Sequence, residues 1–231
     1  MKKILTGLTL AMAVSSVNAA EVSGTISFTN DYRFRGVSQT AGDAAVQGSL
    51  DVEFENGVYA GIWGSNVDFD DDANLEIDYY VGYWGEINDD WSYDISLNYY
   101  TYPGYDAADG DYAEIIAGLY YGDLGLTYAY ADDNFNAGES AHYLAIDYSY
   151  ALTEAVSLDL HAGRSFGDYW GNEDIGDLDD YTDYSVGISG SYAGLDLSAA
   201  YLFTDLDGDD EVDSGAFRND NTLLLSVSRT F

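Results

Sequence analysis

Apolar and polar residues alternate along most of this chain. Val22, Gly24, Ile26, Phe28, Tyr32 and Phe34 share one parity; Ser23, Thr25, Ser27, Thr29, Asp31 and Arg33 share the other, with Asn30 the only break on the apolar side. Successive side chains of a strand leave opposite faces, so a period of two predicts a sheet with one apolar and one polar face. The beat returns in Val46, Leu50, Val52 and Phe54 against Gln47, Ser49, Asp51 and Glu53. It is weakest over Val58–Val67, where Val58, Ala60 and Ile62 oppose Tyr59 and Trp63 and both faces are partly apolar. It recovers in Leu75–Tyr83, Trp91–Tyr99, Ala113–Tyr121, Leu124–Tyr130, His142–Tyr150, Val156–Ala162, Tyr184–Tyr192 and Leu195–Phe203, and ends with Leu223, Leu225, Val227 and Phe231 on one side.

Twelve strands are predicted, with connections that alternate in length. Short ones lie near 55–57, 86–90, 122–123, 152–155 and 193–194, the first carrying the Asn56-Gly57 pair that favours tight hairpins. Long ones lie near 36–43, 68–73, 103–110, 132–139, 166–180 and 205–219, most of them rich in Asp and Gly. A soluble sandwich has no reason to gather every long loop at one end, whereas an all-β, up-and-down transmembrane barrel does, with short periplasmic turns and long outer loops. The aromatic residues agree. Phe54, Tyr83, Trp91, Tyr93, Tyr121, Tyr150 and Tyr192 fall near the short turns, and Tyr32, Phe34, Tyr79, Tyr99, Tyr130, Tyr201 and Phe203 near the long loops. Amphipathic rings at two levels suit the two headgroup layers; a soluble core would gather them in its middle.

Composition narrows the compartment and the partners. Lys2 and Lys3 precede the apolar run Ile4–Val14, and Val17-Asn18-Ala19 offers a signal-peptidase site, so residues 1–19 read as a leader and 20–231 as the barrel of an exported protein. There is no cysteine, which excludes a disulfide scaffold. Both lysines leave with the leader. Five arginines then stand against 42 carboxylates, a formal charge of −37 that excludes nucleic acid as a partner. The 23 tyrosines, 9 phenylalanines and 4 tryptophans argue against reading that charge as disorder.

If the apolar parity meets lipid, the other lines a lumen with Arg33, Asp51, Glu53, Glu76, Asp78, Asp94, Glu114, Asp147, Asp159, His161 and Asp183. Unpaired buried charges are costly, so the expectation is a wet, acid-lined channel for small solutes that favours cations. The alternative is that the acids pair with Arg33 across the barrel and close it, leaving a structural or adhesive barrel with divalent-cation-binding outer loops. Among the loops, Asp205, Asp207, Asp209, Glu211 and Asp213 place carboxylates at alternate positions around Gly208 and could wrap a hard cation such as calcium, although the spacing is not that of an EF-hand. The same loops could instead be a solvated face, or share divalent cations with lipopolysaccharide. No cofactor is required by this reading. A lipid hydrolase would need a histidine base beside a nucleophile. Only His142, on the lipid parity, and His161, on the lumen parity two residues from Asp159, are available, and no serine stands in a nucleophile motif. Arg164 falls on the lipid parity near the outer end, where it can snorkel to headgroups.

One stretch carries a resemblance. Asp31-Tyr32-Arg33-Phe34-Arg35-Gly36 followed by Ser38-Gln39, then Gln47-Gly48-Ser49 and Asn56–Val67, is similar to the TorF family. These are proteobacterial outer-membrane proteins, also labelled Gcw_chp, that are assigned a porin role. Glu76-Ile77-Asp78-Tyr79 and Tyr83 match more loosely. The resemblance implies a Gram-negative outer-membrane location and a porin role but supplies no ligand. Phe231 resembles the terminal aromatic by which the barrel-assembly machinery reads its clients. Arg33 and Arg35, where the first strand meets its outer loop, are expected to be structural or to form a constriction by pairing with lumen carboxylates.

Overall fold

A computed structural model describes residues 20–106, 109–171, 179–206 and 216–231; the expected leader lies outside the described residues. The strands are β1 (Ala20–Thr29), β2 (Arg33–Phe34), β3 (Val37–Ser38), β4 (Ala45–Phe54), β5 (Val58–Asn66), β6 (Leu75–Glu86), β7 (Trp91–Thr101), β8 (Tyr112–Tyr121), β9 (Leu124–Ala131), β10 (Ala141–Ala151), β11 (Ser157–Phe166), β12 (Tyr181–Tyr192), β13 (Leu195–Thr204) and β14 (Thr222–Thr230). Twelve of them, all but β2 and β3, form one closed antiparallel barrel in sequence order. β1 closes the ring, pairing Ala20–Thr29 with Phe54–Ala45 on one side and Thr25–Thr29 with Thr230–Ser226 on the other. Every barrel strand therefore has two neighbours and no edge is left to pair with another chain. Phe231 extends the seam, since its N–H and carbonyl both bond Gly24 at 3.0 Å.

The faces are inverted relative to a soluble protein. Leu50 is 63% exposed and Ile95 49%, and Ile26, Val81, Leu97, Ile115, Leu126, Ile146, Leu160, Val186 and Leu225 are exposed with them. Glu76, Asp78, Glu114, Ser65, Ser165 and Asp183 are buried. Water cannot be the solvent of so large an apolar surface. Exposed Tyr83, Trp91, Tyr121, Tyr150 and Tyr192 ring the short-turn end and exposed Tyr79, Tyr99 and Tyr201 the other, the two headgroup levels of a bilayer. The protein is a transmembrane β-barrel in which β1 begins and β14 ends at the short-turn end.

The ambiguous β5 now has a cause. Tyr59 and Trp63 point inward, Tyr59 donating to Asp94 at 2.9 Å and Trp63 packing edge-on against Tyr32 at 5.4 Å. Both its faces are apolar because the lumen at that point is filled: Val58, Ala60 and Ile62 face outward and Tyr59 and Trp63 inward.

Tyr32 and Phe34 correct the sequence reading. They belong to no outer girdle; Tyr32 packs against a buried cluster and Phe34 meets Tyr100 at 6.1 Å, inside the barrel. β1 stops at Thr29 because the Asn30 side chain takes over the pairing with β14. Its amide donates to Leu223 O at 2.9 Å and its oxygen accepts from Leu225 N at 2.6 Å. The chain then leaves the wall, and alternation beyond that point no longer reports which side faces lipid.

Candidate functional site

Residues 30–44 fold into the lumen as a short hairpin, β2 paired with β3. Its tip, Arg35-Gly36, sits in left-handed conformations (φ 51° and 84°). Gly36 is required twice over, because a Cβ there would also lie 2.7 Å from Asp183 Cβ. The buried Asp31 organises the turn. Its carboxylate accepts from Ser38 Oγ (2.6 Å), Thr40 Oγ1 (3.2 Å) and Arg33 Nε (2.5 Å). Arg33 donates onward to the carbonyls of Gly36, Arg218 and Asp220 and to the Asp220 carboxylate, tying the hairpin to segment 216–221. Gln39 N donates to Tyr32 O, and Asp68 N to Gln39 O, attaching it to the β5–β6 loop. The stretch Asp31–Gly36 with Ser38-Gln39 is thus the cassette that builds an inward plug.

Arg35 carries the plug to the far wall. Its Nη2 donates to both Glu114 oxygens of β8 at 2.8 and 2.7 Å, and its guanidinium lies between the Phe34 and Tyr143 rings at 4.5 and 4.4 Å. Tyr100 adds a 3.0 Å bond to Glu114, while Tyr181 of β12 donates to Arg35 O at 2.9 Å. Above the hairpin, Val67, Phe69, Tyr100, Tyr102 and Tyr112, with Phe135 and Phe217 packed against them, form an aromatic layer across the outer mouth.

The expected lumen residues divide into two tiers. Glu76, Asp78, Glu114 and Asp183 lie in the outer half and are buried at 3%, 8%, 1% and 4% exposure. Asp51, Glu53, Asp94, Asp147 and Asp159 lie toward the short-turn end and are less buried. In the lower tier, Asp51 accepts from Tyr80 and Ser49, and Asp159 from Ser149. His161 bridges the tiers, with Nδ1 2.6 Å from Asp147 and Nε2 2.9 Å from Asp183; Tyr143 also donates to Asp183. An ionised carboxylate only accepts, so an imidazole between two of them can bond both when it is protonated and donates from each nitrogen. A cavity of about 600 Å³ opens beside it, lined by Tyr120, Thr127, Asp147, Ser149, Asp159 and Ser185 among others. A second, of about 550 Å³, is lined by hydroxyls that include Ser157, Ser189, Ser198 and Ser226.

Glu76 and Asp78 stand apart. Tyr102 donates to Glu76 Oε1 at 2.9 Å, but among the described residues Glu76 Oε2 and Asp78 Oδ1 have no hydrogen-bond partner, and no described arginine or histidine pairs with either. Burial first, then the facing Glu76 and Asp78 charges, hold the Tyr32 phenol well above the ordinary tyrosine range. Burial and Glu76 do the same to Tyr102. Both phenols therefore stay neutral donors beside the pair.

Of the loop carboxylates expected around calcium, Asp205 accepts from Thr182 N at 2.6 Å; Asp207, Asp209, Glu211 and Asp213 lie outside the described residues. Arg164 is half exposed at the outer rim, reaching Thr182 Oγ1 at 3.2 Å and Asp180 at 3.5 Å. His142 bonds the Tyr128 hydroxyl at 2.7 Å and stacks on Phe166. Among the described residues neither histidine bonds a serine, so the couple a hydrolase needs is not formed there. Arg35 is the residue that a parity reading underrates, since no local signal ties it to Glu114.

The model of a family described as bacterial protein of unknown function (Gcw_chp) matches residues 13–231. No curated protein sequence matches the chain. Among solved structures the chain is similar to a KdgM porin in complex with disordered oligogalacturonate (7% identity, 92% of this chain and 99% of that one, TM-score 0.57). It is also similar to the NanC porin (11%, 91% and 98%, 0.54) and to the COG4313 outer membrane channel from Pseudomonas putida F1 (12%, 94% and 97%, 0.54). At these identities the likeness is one of fold.

Proposed function

The chain belongs to the Gcw_chp family of bacterial proteins, and on that premise we propose that it is an outer-membrane channel for passive diffusion of small hydrophilic solutes, with a preference for cations. A closed barrel with a lipid-facing apolar belt belongs in the Gram-negative outer membrane. The observation that carries the preference is the sign of the accessible wall. Asp51, Asp94, Asp147 and Asp159 face the lower lumen among hydroxyls, while Arg33 and Arg35 are consumed in ion pairs. Such a wall concentrates cations and repels anions. The KdgM porin's oligogalacturonate is a polyanion, and a lumen of this sign disfavours that class of cargo. Small solutes would pass the hairpin, which sets the narrowest point. In assembly, the strand ending at Phe231 is the segment the barrel-assembly machinery reads, and the acidic outer loops share divalent cations with lipopolysaccharide.

A second reading is favoured by the plug itself: the buried hairpin and the aromatic layer over it would keep the barrel shut. Planar-bilayer recording across a KCl gradient separates the two. Discrete steps with a cation-selective reversal potential support the channel. Silence in the wild type with steps after deletion of residues 33–38 supports a barrel shut by its hairpin. Anion selectivity, or silence in both proteins, removes the channel reading.

A further inference from the structure

Of the four buried wall carboxylates of the outer tier, two have a cationic partner among the described residues, Arg35 at Glu114 and His161 at Asp183. Glu76 and Asp78 are left on alternate positions of β6, facing the same lumen sector, each more than nine-tenths buried and each with one oxygen that meets no donor. Two uncompensated charges in so dry a place are strongly unfavourable. The neighbouring phenols of Tyr32 and Tyr102 supply dipoles but no charge. We propose that Glu76 and Asp78 hold a hard divalent cation, with calcium the fitting species, as a structural ion of the outer lumen. Two carboxylates match a charge of two, and their free oxygens are hard donors of the type calcium takes. Calcium also accepts irregular oxygen shells completed by water or carbonyls, whereas magnesium demands a near-ideal octahedron. The pair lies inside the barrel wall, on β6. A bound ion here would pin β6 to the lumen whether or not the barrel conducts.

The full chain, refolded from urea into detergent with either CaCl2 or EDTA and then washed with EDTA, tests this by elemental analysis and thermal melting. The expected result is one retained calcium per chain after refolding in CaCl2, with a higher Tm than the EDTA-refolded sample. Glu76→Gln/Asp78→Asn should retain one calcium fewer and melt at the same temperature in both media. Equal retention by wild type and variant would overturn the proposal, as would a wild-type Tm indifferent to calcium but rising as pH falls, the mark of a pair that shares a proton instead. Should the variant not fold, wild type that retains no calcium is by itself sufficient to refute it.

Discussion

Replacing Glu114 by glutamine keeps the shape of the side chain and removes its charge, leaving the Arg35 guanidinium without its counter-ion. The Arg35 and Glu114 side chains are 11% and 1% exposed, which places the pair in the buried regime, where losing one partner costs about 3–5 kcal/mol, and not in the surface regime of ~0–1 kcal/mol. Glutamine retains a neutral acceptor, so the lower end, about 3 kcal/mol, is expected. At about 1.4 kcal/mol per tenfold, the hairpin's docking equilibrium should shift on the order of a hundredfold toward the undocked state. Trypsin reads this directly, since Arg33 and Arg35 are two of only five arginines in residues 20–231. When opening and closing are fast relative to cleavage, the cutting rate follows the population of the open form. Glu114→Gln should be nicked at 33 or 35 about a hundred times faster than wild type. Arg35→Met/Glu114→Gln, which removes both charges, should return cleavage after Arg33 to near the wild-type rate, because exchanging a buried pair for neutral groups is close to neutral. Unchanged nicking of Glu114→Gln, or a double variant as labile as the single, would refute the clamp.

Four further outcomes are expected. Arg164→Ala should change stability in guanidinium by less than about 1 kcal/mol, because its 3.5 Å pair with Asp180 is half exposed on both sides. Gly57→Val should lower the yield of heat-modifiable folded protein on electrophoresis: the residue has φ +86° and a Cβ there would sit 2.2 Å from Trp84 O, which costs about 1–3 kcal/mol or more. Gly61→Ala should push the Tyr80 ring, 2.4 Å from the new carbon, off Asp51, and difference ultraviolet absorption should show a solvent-exposed phenol; an unshifted spectrum would count against that contact. Ile95→Arg, at mid-strand on the lipid face, should cost about 2–4 kcal/mol in folding into phospholipid vesicles.

Much of the wall was legible residue by residue. Leu75 and Tyr79 against Glu76 and Asp78 announce β6 and both its faces, and the Asn56-Gly57 and Gly122-Asp123 turns place the short-loop end. The lumen chemistry was legible as a list of carboxylates but not as two tiers, since parity says that a side chain points inward and nothing about depth or partners. Asp51 and Glu114 look alike in the sequence. One lies in the lower lumen accepting from phenol and serine hydroxyls, and the other is sealed under a plug with an arginine 79 residues away.

The sequence by itself determined the twelve strands of the wall, the direction of the loops and which parity meets lipid, because each follows from local alternation and local turns. Only the tertiary structure decided where that alternation stops having meaning. The beat continues through Tyr32 and Phe34, yet Asn30 has already ended the pairing with β14 and the chain has turned into the lumen. A strand's period assigns faces only while neighbours hold it in the sheet. Whether they do depends on register and on contacts such as Arg35 with Glu114, which form between segments far apart in the chain.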